Sequence, residues 1–167
     1  MNVLQWLSSV GTGVTSNQQH TVVGFEDILE IQKQCSSLVQ RFGDQSPPAA
    51  GFIMINTLSL NDQEILICRT TPAKDEETVL NQLLDTYRTA DVRIVVYGRN
   101  SADTSVFVKQ DQIRKLGFAH VYVYLGGLFE WLLLQDIYGA DAFCTTTPCR
   151  DILKYAAAVR TGGAFHL

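Results

Sequence analysis

The sequence predicts an α/β fold of three layers, a parallel central sheet with helices on both faces. Three observations predict it. Short apolar, β-branched runs alternate along the chain with segments of helical spacing, the order that gives parallel strands joined by crossover helices. The runs are apolar at nearly every residue, as strands buried on both faces are. And 167 residues, 46% of them hydrophobic, suit one packed core; two independent cores would each be small.

The elements follow in order. Residues 1–24 open with an apolar patch of Val3, Leu4, Trp6, Leu7 and Val10. A linker rich in Gly, Thr, Ser, Asn and Gln follows over 11–20, expected to be flexible or laid over a partner. Residues 25–42 carry Phe25, Ile28, Leu29, Ile31, Leu38, Val39 and Phe42 at steps of three and four, an amphipathic helix ended by Gly43 and Pro47-Pro48. Residues 52–58 read as a buried strand and residues 64–68 as a second, with Cys68 a small core residue. Residues 75–87 have helical spacing. The acids Asp75, Glu76 and Glu77 in the first turn suit the positive helix end by roughly 0.3–1 kcal/mol each. Residues 92–97 are the clearest strand.

Residues 101–116 are a helix with Ser101 as N-cap, Asp103 in its first turn and Gly117 as its stop. Residues 120–124 are a strand, with His120 at its start a capping or surface residue. Residues 128–138 are a very apolar helix. Thr147-Pro148 starts a last helix, running to about residue 159. The chain is thus divided into an N-terminal patch and linker (1–24), a domain (25–140), and a C-terminal helix and tail (141–167).

Composition excludes several classes. A net charge of −4 argues against a nucleic-acid groove, which needs clustered Lys and Arg. No run of 18 apolar residues exists, so no membrane span is expected. The first residues lack the basic start of a secretory signal. Cys35, Cys68, Cys144 and Cys149 are scattered and are expected as reduced thiols. Cys144 and Cys149 do not make a zinc site without two more ligands, and neither a metal nor a cofactor is expected. These features imply an intracellular protein, the cytoplasm favoured, with a mitochondrial or cytoskeletal assembly left open.

In an open parallel sheet, ligands bind beyond the carboxyl ends of the strands. The segment Gly98-Arg99-Asn100-Ser101-Ala102-Asp103-Thr104, after the clearest strand, is therefore the expected site. A second set of candidates is apolar. The helix at 128–138 has large side chains all round it, more than one buried face needs. The excess faces either the C-terminal helix, through Ile152, Leu153 and Tyr155, or a partner. Phe129, Trp131 and Tyr138, together with Leu4, Trp6 and Leu7 of the N-terminal patch, are the candidate protein contacts, since aromatic anchors dominate interfaces.

The block Leu116-Gly117-Phe118, Val121-Tyr122, Gly126-Gly127 and Trp131 resembles the C-terminal signature of rhodanese-like domains. Ile53-Met54-Ile55-Asn56-Thr57-Leu58 is similar to an upstream strand of that family, with Asn56 at its acidic position, whereas 64–70 match poorly. The likeness covers roughly residues 25–138 and implies the three-layer rhodanese-like fold. It also implies a Tyr-Cys-x-x-Gly-x-Arg-Ser loop after the 92–97 strand, whose cysteine carries a persulfide in a cradle of backbone N–H groups. Laid onto this chain, that cysteine falls on Gly98, the glycine on Ser101, the arginine on Asp103 and the serine on Thr104. Gly98 can carry no sulfur, and Asp103 puts a negative charge where the family has a positive one.

The resemblance thus implies a catalytically inactive module, not an enzyme, working as a protein-interaction or structural subunit. Two alternatives stand beside it. One is a sulfurtransferase or phosphatase-like enzyme with a displaced nucleophile. The other is a small-anion sensor using Arg99 and backbone donors.

Overall fold

A computed structural model describes residues 21–42 and 51–158, without the side chains of 35–42. The patch of Leu4, Trp6 and Leu7, the 11–20 linker and the chain beyond 158 lie outside the described residues. In chain order the elements are β1 (Val22–Val23), α1 (Phe25–Phe42), β2 (Phe52–Asn56), α2 (Ala73–Asp85), β3 (Arg93–Tyr97), α3 (Ser105–Lys115), β4 (His120–Tyr124) and α4 (Gly127–Tyr138). Short 3-10 turns occupy Leu60–Asp62 and Ile152–Tyr155.

The four strands form one parallel sheet in the order β1-β4-β3-β2. Three of them run in step, so that Asn56, Tyr97 and Tyr124 stand side by side at the carboxyl edge. Successive side chains of a strand point to opposite faces, and the core divides accordingly. Phe52, Met54, Val95, Tyr97 and Tyr124 face Ile28 of α1 and Leu128, Trp131 and Leu132 of α4. Ile53, Ile55, Ile94, Val96, Val121 and Val123 face Leu80 and Leu83 of α2 and Val106 and Ile113 of α3. This is the expected α/β architecture, a parallel sheet with helices on both faces. Burying each such aliphatic side chain contributes about 1.5–3 kcal/mol.

Four local expectations change. Val22–Val23, placed in the linker by the sequence, pair with Val123 and Tyr124 and form the sheet edge. Residues 65–67 are buried, but 64–68 make no ladder strand. They form one antiparallel bridge, Ile67 to Thr145, and Arg69 then turns the chain at a φ of 68°. The C-terminal helix reduces to the turn at Ile152–Tyr155. The reason lies in the partner of 64–68. Cys68 N–H donates to the Cys144 carbonyl at 3.0 Å and Thr146 N–H to the Leu66 carbonyl at 2.8 Å, which ties 144–146 to 66–68. The same pairing brings Cys68 and Cys144 together as a disulfide, so the expectation of reduced thiols fails for these two. Cys149 is the free cysteine among the described residues.

Among the described residues, no helix is long and apolar enough to cross a membrane.

Candidate functional site

The loop after β3 lies against the start of α4. Gly127 has a φ of +63°, open to glycine at little cost. A Cβ there would stand 2.7 Å from the Gly98 carbonyl oxygen and 2.9 Å from the Asn100 nitrogen. The absence of that atom lets helix and loop touch. The Leu128 and Phe129 N–H groups donate to the Gly98 and Arg99 carbonyls at 2.9 and 3.0 Å. Two donors of the first turn of α4, which could otherwise cradle an anion, are therefore spent on the loop itself.

Asp103 does not sit in the helix, as the sequence suggested. It precedes the N-cap, Thr104, and α3 begins at Ser105, so Ser101 is not the cap. From there the Asp103 carboxylate turns back into the loop. Its Oδ2 accepts from the Arg99 N–H at 3.0 Å and its Oδ1 from the Ser105 N–H at 3.1 Å. A Cβ built on Gly98 would meet Asp103 Cγ at 2.8 Å and Val106 Cγ1 at 3.0 Å, with Asp103 Oδ2 closer still. The loop carries its own anion, and that anion fills the space a side chain at position 98 would enter.

Asn100 closes the loop from within. Its Oδ1 accepts from the Ala102 N–H at 3.0 Å, its carbonyl from the Asp103 N–H at 3.0 Å, and its Nδ2 donates to the Tyr155 carbonyl at 2.8 Å. Arg99 points away from the loop. Its Nη1 pairs with Asp62 at 2.9 Å, its Nη2 donates to the Lys154 carbonyl, and the guanidinium stands 5.7 Å over the Tyr155 ring. Ser101 and Thr104 are exposed. Of the six candidate loop residues, Gly98, Arg99, Asn100 and Asp103 are thus brought into one network.

Sequence reasoning missed Asp62, Tyr97 and Tyr155. Tyr97, fully buried at the end of β3, accepts from the Ile67 N–H at 3.3 Å and shares a hydrogen bond with Thr70 at 2.9 Å. Burial pushes its phenol well above the ordinary value of 10. A period-two strand pattern marks such a tyrosine only as core. Tyr155, 1% exposed, comes from a segment expected as helix. Its contact with the loop is a tertiary fact with no local signal.

Two cavities adjoin this region. One of about 360 Å³ lies between the loop and residues 156–158, lined by Arg99, Asn100, Ala102 and Asp103. Another of about 620 Å³ opens on the other face of the sheet, between α2 and α3. The Lys109–Glu76 ion pair, 2.5 Å long, belongs to its lining. No cluster of His, Cys, Asp and Glu among the described residues could hold a metal ion.

On α4, Leu128, Trp131 and Leu132 are buried. Trp131 is therefore core and not a contact surface: its ring meets Phe143 edge-on at 5.0 Å, and its N–H donates to the Cys144 carbonyl at 3.2 Å. Phe129 is half-buried against the same cluster. Leu133, Ile137 and Tyr138 are exposed, by 40%, 70% and 66%. The excess apolar surface of this helix is real and faces outward at its C-terminal half.

Residues 55–134 match the family model described as a rhodanese-like domain. Among solved structures, the chain is similar to the BH2092 protein of Bacillus halodurans, with a TM-score of 0.45 and 15% identity over 71% of this chain and 74% of that one. It is also similar to the Alr3790 protein of Anabaena sp., with a TM-score of 0.42 and 17% identity over 70% of this chain and 88% of that one. The Rhodanese_3 like domain of the same Anabaena protein gives 0.39 and 22% over 57% and 99%. No curated protein matches the chain.

Proposed function

We propose, from the premise that residues 55–134 form a rhodanese-like domain, that this chain is a catalytically inactive module serving as a protein-interaction or structural subunit of a larger assembly. One observation supports the reading. The resemblance lays the family's sulfur position on Gly98, and the space beyond the Gly98 Cα is occupied by the Asp103 carboxylate, held by the Arg99 and Ser105 N–H groups. A persulfide needs a sulfur atom and unoccupied donors, and a carboxylate in its place repels any incoming anion.

The same network weighs against the alternatives. A small-anion sensor would use Arg99, whose guanidinium is committed to Asp62 and the Lys154 carbonyl. A displaced nucleophile would be a cysteine near the loop. Cys68 and Cys144 are joined to each other, and Cys149 packs against the core cluster under α4. The exposed pair Leu133 and Ile137, one turn apart on α4, supports a protein partner. A chain of net charge −4 gives no support to a nucleic-acid partner.

Crosslinking of the full chain in its native cells, with adducts mapped by mass spectrometry, tests the reading. Adducts concentrated on the outer face of α4 are expected. A monomer by light scattering, with adducts absent or spread evenly over the surface, would contradict it. The proposed location is intracellular, the cytoplasm favoured. The Cys68–Cys144 bond bears on that, because cytosolic disulfides are rare. Alkylation before lysis modifies both thiols in a reducing compartment; protection of both would place the protein in an oxidising one.

A further inference from the structure

We infer that the mouth above the 98–103 loop is a peptide-binding groove, and that its resident ligand is the chain's own segment 152–158. The inference deepens the preceding reading and rests on it, because a mouth without sulfur chemistry is open to another use.

The contacts between loop and segment are those of peptide recognition. Neighbouring residues of the loop read neighbouring carbonyls of the segment: Arg99 Nη2 donates to the Lys154 carbonyl and Asn100 Nδ2 to the Tyr155 carbonyl at 2.8 Å. Main-chain hydrogen bonds of this kind give affinity without demanding a side-chain sequence. Specificity comes from the anchor. The Tyr155 side chain is 1% exposed, with the Arg99 guanidinium 5.7 Å above its ring. Arg99 is itself aimed by Asp62 at 2.9 Å. A buried aromatic side chain, bounded by a guanidinium with a fixed partner, is the composition of a binding hot spot.

Beyond the anchor the fit is poor. At Ala156 the chain is extended, with φ −58° and ψ 153°. Ala156, Ala157 and Ala158 line one side of the cavity of about 360 Å³ that the loop lines on the other. Three methyl groups leave this space unfilled. Arg99 and Asp103 both line the loop side, so the space offers partners of either charge and selects by size. The competing ligand is accordingly an extended peptide of a partner protein. It places an aromatic residue where Tyr155 sits and a residue larger than alanine after it. The segment 152–158 would act as a strap that such a peptide displaces.

The test keeps the whole chain. A protease site is inserted between Arg150 and Asp151, both exposed, and the folded protein is cut there. A fluorescent peptide of residues 151–158 is then titrated onto the nicked chain. Saturable binding is expected, weakened about tenfold by Asn100→Ala in the protein, which removes the bond to the Tyr155 carbonyl and the loop's own bond from the Ala102 N–H. Tyr155→Ala in the peptide should weaken it more, and Ala157→Gln in the peptide should bind at least as tightly as the parent. No saturable binding to a nicked chain whose amide exchange in β2, β3 and β4 is unchanged would overturn the inference. So would dimers formed by exchange of the segment between two copies and not dissolved by the peptide.

Should the nicked chain unfold, hydrogen exchange on the uncut protein decides. Asn100→Ala is expected to speed exchange in 152–158 several-fold while leaving the strands protected, and equal rates in both proteins would overturn the inference. Sulfur-transfer turnover by the intact chain would sink the inactive reading without touching these binding results, so the two failures are separable.

Discussion

A side chain at position 98 would have to displace the Asp103 carboxylate, which stands within 3 Å of where its Cβ would be. Gly98→Cys is therefore expected to lose about 1–3 kcal/mol through overpacking and to gain no persulfide. Combined with Asp103→Gly, the same cysteine should recover most of that loss, which chemical denaturation of the two variants would measure. Equal stability of the single and double variants would mean the carboxylate does not hold the space. The resemblance read from the sequence laid the family's cysteine on Gly98 and its arginine on Asp103. It did not reveal that the two facts are one. That Asp103 leaves the helix and turns into the loop follows from where α3 starts, and α3 starts at Ser105 rather than Ser101. Single residues with good capping chemistry, such as Ser101, name several possible starts, and only packing chooses among them.

The elements divide by how much of their structure is local. β3 and β4 were readable because β-branched runs buried on both faces have no competing reading. So was α4, whose all-round apolar composition announced more buried surface than one face. The split of that surface was not readable, since Trp131 and Tyr138 look equally like anchors. Their fates differ in a way stability measurements separate. Trp131→Ala removes a side chain that is 0% exposed and should cost about 3–5 kcal/mol. Ile137→Ser, on the outer face, should stay within about 0.5 kcal/mol while reducing crosslinks to a partner. A large destabilisation by Ile137→Ser would instead mean this face is covered within the chain. The 64–68 strand and the C-terminal helix misread for a shared reason. Each segment is shaped by the other, through the Cys68–Cys144 and Leu66–Thr146 backbone pairs, and no window along the chain contains both.

For the molecule as a whole, the disulfide adds a long-range covalent link to the buried core. The Cys68–Cys144 bond joins positions 76 residues apart. Reduction, or Cys68→Ser with Cys144→Ser, should cost about 2–4 kcal/mol, the usual worth of such a link; an unchanged melting temperature would mean the bond does not form. The sign of the alkaline response follows from Tyr97. Its folded phenol titrates above the unfolded value of 10, so its contribution is fully present below pH 10 and is lost as pH rises beyond it. Tyr97→Phe should cost about 1 kcal/mol at neutral pH, from the hydrogen bonds to Ile67 and Thr70. It should also flatten the loss of stability above pH 10, and an unaltered slope would show that other groups govern it.

The claim beneath these expectations is that the mouth of the sheet is closed to sulfur, by Gly98 and Asp103 below and residues 152–158 above. Thiocyanate formation from thiosulfate and cyanide by the purified full chain tests it most directly. No rate above that of buffer is predicted. Turnover that disappears when Cys149 is alkylated would contradict the account.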